Sequence, residues 1–301
     1  MTRHVPVHAE AVARLAAGSR RVVDGTVGSG GHAERFRAAG AEVLAVDRDA
    51  EALARARAVL GDEGIRWLHG SFGGTAVLAE IERFQPDFVL LDLGVSSEQL
   101  DTDARGFSFR PGVPLDMRME AAGESAAELL NGTPESELAR IFGEYGDERR
   151  ARRLASQVCR RRARQAFATS DDLVNAIRAV LGPRAGPPVF ARLFQAVRIA
   201  VNDELGELAA ALPALREALQ PGGTLAVISY HSGEDRIVKR HFQEWARACI
   251  CPPAQPICTC RDSALGVIDP RKPVLPDADE IATNPRARSA KLRVFRNDGD
   301  A

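Results

Sequence analysis

The first hundred residues of the chain alternate between short apolar runs and longer stretches rich in alanine, arginine and glutamate. Four of the apolar runs have the length and the β-branched content of buried strands, and they cover residues 21–24, 43–47, 65–69 and 88–92. The stretches between them, such as residues 49–60, have the composition of helices. Strands that alternate with helices pair in parallel, so the pattern predicts an α/β fold built on a doubly wound, Rossmann-like sheet.

Beyond about residue 100 the alternation stops and helical patterns dominate. Thr133 followed by Pro134 is a typical helix start, with threonine as the N-cap and proline in the first turn. Ser170 begins a second helix, which Gly182 ends, and a third helix is expected over residues 191–201. This part of the chain is therefore expected to be a helical insertion.

Strand character returns towards the end of the chain. Three further strand candidates cover residues 224–230, 265–269 and 291–295. We therefore expect one domain formed by residues 1–109 and 201–301, interrupted by a helical domain over residues 110–200.

The composition is that of a globular protein that acts away from membranes. Its 301 residues are 45% hydrophobic, which is enough for a sizeable core. No apolar run reaches the ~18 residues of a transmembrane helix, and the first residues lack the apolar core of a signal peptide. These features predict a cytoplasmic location.

The net charge of −1 does not by itself indicate a nucleic-acid partner, but the positive charges are unevenly distributed. Arginines are concentrated over residues 148–164, and a second basic stretch runs from Arg286 to Arg296. Both stretches are candidates for contact with phosphate groups. The alternative is that they are solvated faces of helices, and charge alone does not separate the two interpretations.

A glycine-rich loop follows the first predicted strand, which ends at Asp24. The glycines of this loop are Gly25, Gly28, Gly30 and Gly31. Because glycine has no side chain, a ligand can approach the backbone of the loop closely. The second predicted strand ends at Asp47, nineteen residues after Gly28, where a carboxylate can accept hydrogen bonds from both hydroxyls of a ribose.

Two cofactors suit such a loop. Gly28, Gly30 and Ala33 match the dinucleotide fingerprint, so an NAD-dependent dehydrogenase is one interpretation. S-adenosylmethionine is favoured by Asp24, which precedes the glycines where it can hold an ammonium group, and by the additional Gly25. A plain glycine-rich turn without a ligand is the structural alternative.

The fourth predicted strand ends at Asp92, where such a sheet places a group on the substrate side. An exocyclic amine on an aromatic ring is a poor nucleophile because its lone pair is delocalised, so an acceptor for its N–H would assist methyl transfer. Asp92 can be that acceptor, contact the cofactor, or cap a helix. Methylation at C5 would need a cysteine nucleophile, and none lies near the predicted strand ends, which leaves transfer to nitrogen or oxygen.

Longer strings of sequence make the resemblance to a known family specific. They are Asp24-Gly-Thr-Val-Gly-Ser-Gly-Gly-His32, Asp92-Leu-Gly-Val-Ser-Ser-Glu-Gln-Leu-Asp101, Arg105-Gly-Phe-Ser-Phe109, Pro114-Leu-Asp-Met-Arg-Met119, Phe194-Gln-Ala-Val-Arg-Ile-Ala-Val-Asn-Asp-Glu-Leu205, Ile228-Ser-Tyr-His-Ser-Gly-Glu-Asp-Arg-Ile-Val-Lys239 and Asn284-Pro-Arg-Ala-Arg-Ser-Ala-Lys-Leu-Arg293. With these strings in this order, the chain resembles the bacterial 16S rRNA cytosine-N4 methyltransferases, the family of ribosomal RNA small subunit methyltransferases H. The resemblance implies a class I methyltransferase sheet that binds S-adenosylmethionine, with the inserted helical domain on the side of the RNA substrate.

The resemblance also implies roles for individual residues. The cofactor contacts that it implies are Gly30, Gly31, His32, Asp47, Phe72, Asp92 and Gln99. On the RNA side it implies Asp116, Arg118 and Ser232. Phe72 can stack on adenine, and its alternative is a place in the core. The catalytic candidates are Asp92 and His231, the latter as a hypothetical general base.

The substrate that the resemblance implies is a decoding-site cytosine of 16S ribosomal RNA. The expected partner is therefore the small ribosomal subunit, and no membrane partner is expected. The sequence leaves a homodimer open. A non-catalytic RNA-binding protein is a third interpretation beside the methyltransferase and the dehydrogenase.

Four of the five cysteines are clustered near the end of the chain, as Cys249, Cys251, Cys258 and Cys260. Four thiolates can hold a structural zinc ion, although the C-x-C spacing is less typical than C-x-x-C. Reduced thiols are the other main interpretation, and disulfides are disfavoured in the cytosol. Nothing in the sequence indicates a catalytic metal.

Overall fold

The structure, a computed structural model, describes the chain over residues 6–120, 122–252, 254–255, 257–261 and 263–298. Within these ranges the strands are β1 (Arg21–Asp24), β2 (Glu42–Asp47), β3 (Ile65–His69), β4 (Phe88–Asp92), β5 (Thr224–Ser229), β6 (Gly266–Ile268) and β7 (Lys291–Asn297). The α-helices are α1 (Ala9–Leu15), α2 (Gly31–Ala38), α3 (Ala50–Leu60), α4 (Thr75–Phe84), α5 (Ser97–Asp101), α6 (Ala126–Gly132), α7 (Glu135–Arg140), α8 (Ala151–Arg162), α9 (Ser170–Leu181), α10 (Pro187–Asn202), α11 (Glu204–Ala218), α12 (Ser232–Trp245) and α13 (Ala278–Thr283). None of these helices is long and apolar enough to cross a membrane.

All of these strands belong to one sheet, in the order β3-β2-β1-β4-β5-β7-β6. The strands from β3 to β5 pair in parallel, whereas β7 lies between β5 and β6 and runs antiparallel to both. Antiparallel neighbours need no helical crossover, which is why the strand–helix alternation of the first part of the chain does not extend to β7. The predicted α/β, Rossmann-like sheet is confirmed.

The chain divides into two compact units. The sheet unit consists of Met1–Gly94 and Leu205–Ala301, and the helical unit consists of Val95–Glu204. The domain boundary predicted at residue 110 therefore moves to residue 95. The physical reason is that the loop-like segment before residue 110 packs into the helical core, where Phe107 is buried and Phe109 is partly buried. The return boundary, predicted at residue 201, lies at Leu205.

Alternate residues of the buried strands face two different apolar cores. Val22 of β1 and Leu90 of β4 face a core that α1, α2 and α3 cover. Val23 and Leu91 face the opposite core, which is covered by α4, α11 and α12. By the same alternation, Asp24 and Asp92 share the face of Val22 and Leu90. The carboxylates of Asp24 and Asp92 therefore lie on the same face of the sheet, at the carboxyl ends of two neighbouring strands.

The helical unit is built around side chains from α6 to α10. Leu130, Leu154 and Leu193 are completely buried in this core. The predicted start at Ser170 is confirmed, and the helix expected over residues 191–201 begins earlier, at Pro187. The start predicted at Thr133 is shifted, because Thr133 ends α6 and Pro134 takes the N-cap of α7.

Candidate functional site

The glycine loop between β1 and α2 is shaped by backbone that other residues rarely adopt. Gly28 and Gly30 have φ angles of 51° and 84°, and Gly30 is the N-cap of α2. At Gly25 a Cβ atom would lie 2.6 Å from Leu91 Cδ2 and 3.5 Å from Phe72 Cβ. The glycines are therefore required by the path of the loop, which leads into the N-terminus of α2.

Asp47 holds this loop in place from the end of β2. Its Oδ2 accepts a hydrogen bond from the Gly28 N–H at 2.7 Å, and its Oδ1 accepts one from the Asp49 N–H at 2.8 Å. Burial raises the pKa of Asp47, and these two hydrogen bonds oppose that rise. Because each carboxylate oxygen can accept a second hydrogen bond, the orientation of Asp47 is fixed while its acceptor capacity is not exhausted.

Asp24 is the most deeply buried acid of the site, with 1% of its surface exposed. Its Oδ1 accepts a hydrogen bond from the Thr26 N–H at 3.3 Å, and its Oδ2 has no hydrogen-bond partner among the described residues. Burial, together with the charges of Asp92 and Asp47, raises the pKa of Asp24 to about 7. A buried carboxylate with an unpaired oxygen is a position where a cationic ligand would gain most.

Asp92 lies at the end of β4, beside Asp24 in the sheet. Its Oδ1 accepts a hydrogen bond from the Tyr230 hydroxyl at 2.8 Å, and its backbone N–H donates to Thr26 Oγ1 at 2.6 Å. Burial raises the pKa of Asp92 to about 7, while the hydrogen bond from Tyr230 lowers it. Its side chain is 21% exposed, so this carboxylate, unlike that of Asp24, is open to a second molecule.

His32 faces Asp92 from the first turn of α2. Its Nε2 lies 3.9 Å from Asp92 Oδ2, and its ring stacks on Phe36 with a centroid separation of 6.2 Å. Burial lowers the pKa of His32 to about 3, so the imidazole is neutral at pH 7. His32 therefore does not neutralise the carboxylate next to it.

The sheet unit brings together most of the residues that the sequence predicted for the cofactor. They are Gly30, Gly31, His32, Asp47, Phe72 and Asp92. Phe72 is half-buried and packs partly against the core under α4, so its stacking on adenine stays a prediction. Gln99 lies in α5 of the helical unit, where its Oε1 accepts a hydrogen bond from the Ser96 N–H at 3.0 Å. This capping interaction explains its burial, and its contact with the cofactor also stays a prediction.

Two residues of the site had no predicted role. Tyr230 and Thr26 both hydrogen bond to Asp92, one through the side chain and one through the backbone. Tyr230 is the last residue of the strand candidate 224–230. The sequence could not show its contact with Asp92, because that contact depends on the pairing of β5 with β4. Thr26 was visible in the glycine loop, but the target of its hydroxyl was not.

His231 is the N-cap of α12. Its Nδ1 accepts hydrogen bonds from the N–H groups of Gly233 and Glu234 at 3.2 and 3.4 Å, and its Nε2 lies 3.1 Å from Glu234 Oε1. Nδ1 is therefore engaged as the cap of the helix, which gives His231 a structural role, while its buried Nε2 makes no hydrogen bond among the described residues. Its action as a general base stays a hypothesis. Ser232, the first residue of α12, is exposed.

Asp116 and Arg118 form a bidentate ion pair within the helical unit. Arg118 Nε donates to Asp116 Oδ1 at 2.9 Å, and Arg118 Nη2 donates to Asp116 Oδ2 at 2.8 Å. The guanidinium holds the pKa of Asp116 below its ordinary value. The pair fixes the direction of both side chains in a loop that leaves them partly exposed.

Buried polar contacts hold the loop that carries this ion pair. Asn202 Nδ2 donates to the Met117 carbonyl at 2.8 Å, and Asn202 Oδ1 accepts from the Met119 N–H at 2.8 Å. Met117 has a φ of 60°, an unusual value for a side chain of this size. Gly106 passes so close that a Cβ atom there would lie 2.5 Å from the Asp116 nitrogen.

The arginine-rich stretch of the sequence forms α8 and the turn before it. Arg152 and Arg153 are exposed, and with Arg149 and Arg150 they line an open depression on the helical unit. The second basic stretch is different. Lys291 Nζ lies 3.2 Å and Arg293 Nε 2.7 Å from the carboxylate of Asp235. These two cations pair with Asp235 within the sheet unit, and the contact of the second basic stretch with phosphate stays a prediction.

The four clustered cysteines lie in the segment between α12 and β6. The sulfur atoms of Cys249, Cys251, Cys258 and Cys260 all lie within 4.8 Å of one another. The structure thus gathers all four predicted metal ligands at one point.

Comparison with known proteins gives matches over nearly the whole chain. The family model described as the MraW methylase family matches residues 1–298. A ribosomal RNA small subunit methyltransferase H of Gemmatimonas aurantiaca is 52% identical, over 98% of this chain and 96% of its own length. A protein of the same name from Sinorhizobium medicae is 47% identical, over 97% of this chain and 86% of its own length. A solved rRNA methylase of Streptococcus thermophilus superposes with a TM-score of 0.42 at 12% identity, over 99% of this chain and 98% of its own.

Replacement of Asp24 by asparagine should stabilise the ligand-free protein at pH 8, because it removes a buried charge and keeps the shape of the side chain. The folded-state pKa of Asp24, about 7, lies above its ordinary value of 3.8. Folding therefore favours the protonated form of Asp24. The free energy of unfolding of the parent protein should fall as the pH rises from about 4 to about 7, because Asp24 becomes charged over this range. Above pH 7 the variant should gain on the order of 2–4 kcal/mol.

Urea unfolding of the parent and the variant at pH 4 and pH 8 measures this gain, which should be absent at the lower pH. The exposed Asp298 provides the control, and Asp298→Asn should leave the unfolding free energy unchanged at both pH values. An Asp24→Asn protein no more stable than the parent at pH 8 would show that Asp24 carries no burial penalty.

Replacement of Asn202 by alanine should loosen the loop of Asp116 and Arg118. It leaves the Met117 carbonyl and the Met119 N–H without their side-chain partner, at a cost of about 1–3 kcal/mol in unfolding free energy. Hydrogen exchange should rise in residues 113–119. Asn131, which bonds to both backbone groups of Phe167, is the control: Asn131→Ala should destabilise the same unit without this local rise. Equal protection of the loop in both variants would contradict the assignment.

Proposed function

The chain belongs to the MraW methylase family, and from that premise we propose that it transfers the methyl group of S-adenosylmethionine to the N4 amine of a cytosine in 16S ribosomal RNA. The observation that carries this proposal is the set of three carboxylates at the ends of β1, β2 and β4, next to the glycine loop, of which Asp24 is buried and Asp47 and Asp92 are partly buried. Curated relatives named ribosomal RNA small subunit methyltransferase H support the substrate class.

The residues at the carboxyl edge suit this cofactor. S-adenosylmethionine carries an ammonium group and a positively charged sulfonium, and Asp24 offers a buried oxygen with no partner among the described residues. Asp47 retains acceptor capacity for ribose hydroxyls, and the N–H groups at the start of α2 lie beside glycines that admit a ligand. When bound, the cofactor supplies a methyl group that is already activated by its positive sulfur. The chain therefore has to bind, orient and exclude water.

Asp92 is the group that we assign to the cytosine amine. Its carboxylate would accept a hydrogen bond from N4–H and so localise the lone pair on nitrogen. The Tyr230 hydroxyl donates to Oδ1 and fixes the orientation of the carboxylate, while Oδ2 is not used by Tyr230. Because the pKa of Asp92 is about 7, its carboxylate can also take up the proton that the amine loses. His231 is not assigned to this step, because its Nδ1 caps the start of α12.

We propose that the helical unit binds the RNA. The exposed arginines around α8 supply positive charge for phosphate groups, and Arg118, oriented by Asp116, is a candidate for a directed contact. The proposed target is a decoding-site cytosine, and the proposed partner is the small ribosomal subunit. Membership of a methylase family excludes the dehydrogenase interpretation.

Mass mapping of 16S ribosomal RNA tests the proposal. Small subunits that lack the modification, incubated with the protein and labelled cofactor, should gain one N4-methylated cytosine in the decoding site. Asp47→Ala should methylate roughly ten- to hundredfold more slowly at limiting cofactor, since loss of a charge-assisted hydrogen bond should weaken cofactor binding by that factor. A methyl group at C5 or on a ribose oxygen would contradict the N4 assignment. Binding of the RNA without any methyl transfer would favour the non-catalytic alternative.

Replacement of Tyr230 by phenylalanine should separate cofactor binding from the methyl-transfer step. The hydrogen bond from Tyr230 lowers the pKa of Asp92, so its loss should move the acidic limb of kcat to higher pH by roughly one unit. Cofactor affinity, measured by calorimetry, should change little. An unshifted pH profile would mean that the ionisation of Asp92 does not control turnover.

A further inference from the structure

A second centre lies outside the methyltransferase site, in the segment between α12 and β6. Residues 246–265 contain neither a helix nor a strand within their described part. The base of the segment is closed by a hydrogen bond from the Leu265 N–H to the Trp245 carbonyl at 2.9 Å. Loops of this length without regular structure are uncommon in compact domains unless something orders them.

Apolar packing orders only the base of this segment, where Leu265 packs partly against the core under α12. Nearer the middle of the segment, Ile250 and Ile257 are 45% and 73% exposed. The four cysteines of the segment lie together at its centre. Cys249 and Cys251 come from its first half and Cys258 and Cys260 from its second half. A small domain element that lacks a hydrophobic core commonly gains its order from a disulfide or a metal.

The sulfur–sulfur distances distinguish between these two. Cys258 Sγ lies 3.5 Å from Cys260 Sγ and 3.6 Å from Cys249 Sγ. Cys260 Sγ lies 3.9 Å from Cys249 Sγ, and Cys251 Sγ lies 4.0 Å from Cys258 Sγ. All of these far exceed the bond length of a disulfide, about 2.05 Å. A tetrahedral ion with bonds of about 2.3 Å to sulfur separates its ligands by roughly 3.8 Å, which is the middle of the observed range.

The rest of the geometry also suits a single ion. The Ile250 N–H donates to Cys260 Sγ at 3.2 Å, a contact that stabilises thiolate charge. Thiolates that surround an iron–sulfur cluster must stand farther apart than these, because the cluster fills the space between them. We propose that Cys249, Cys251, Cys258 and Cys260 form a structural zinc site that orders the segment between α12 and β6.

Zinc is the ion that four thiolates in tetrahedral array select in a reducing compartment. Because all four ligands come from the protein, the ion has no open position for a substrate, so the site orders the chain and does not take part in methyl transfer. Loss of the ion should therefore loosen residues 246–265 and leave the cofactor-binding edge of the sheet intact.

Metal analysis of the purified full-length protein tests this inference. The parent should contain about one zinc ion per chain. Cys258→Ser should lose it, because three thiolates cannot close the tetrahedron. The matched control is Cys159→Ser, since Cys159 is the one cysteine outside the cluster and lies in α8. This control should keep the full zinc content.

Hydrogen exchange of the parent, with and without a zinc chelator, keeps the test decisive if Cys258→Ser does not fold. Chelation should raise exchange over residues 246–265 and leave β1 and β4 protected, with calorimetric binding of S-adenosylmethionine unchanged. Three results would overturn the inference: a folded parent without metal whose exchange does not respond to added zinc, a pair of disulfides among these cysteines, or iron in place of zinc. None of these results bears on the methyltransferase assignment, so the two proposals can fail separately.

Discussion

The burial of three carboxylates at the carboxyl ends of neighbouring parallel strands is the constraint on which this molecule depends. Asp24, Asp47 and Asp92 end β1, β2 and β4, and burial raises the pKa of each of them. A fold that keeps ionisable groups there loses stability in the absence of a ligand. A ligand with positive charge and ribose hydroxyls returns that stability when it binds, which couples the folding of this edge to its function.

The features around the carboxylates follow from this constraint. The glycines of the loop let the backbone run next to Asp47, whose Oδ2 then holds the loop through the Gly28 N–H. Neutral His32 lies against Asp92 without compensating its charge, and Tyr230 supplies a single hydrogen bond that orients it. The edge is thus organised before a ligand arrives, while Asp24 Oδ2 and both ring nitrogens of His32 still lack hydrogen-bond partners among the described residues.

The sequence was sufficient to predict the sheet and the carboxylates, because apolar runs that end in aspartate are a local signal. It could not show what depends on distant pairing. The capping role of His231 depends on the geometry of the first turn of α12. The ion pair of Arg293 depends on Asp235, which is far away along the chain. The boundary at residue 95 was missed for the same reason: Phe107 lies in a loop whose packing partners are helices that come later.

Calorimetry of S-adenosylmethionine binding in buffers of different ionisation enthalpy tests the central claim most directly. Burial raises the pKa of Asp24 to about 7 in the free protein. A cation that binds against Asp24 should lower this pKa, so the account predicts release of protons on binding at pH 7 and none at pH 9. Binding with no dependence of its heat on the buffer at pH 7 would show that Asp24 does not hold the cofactor.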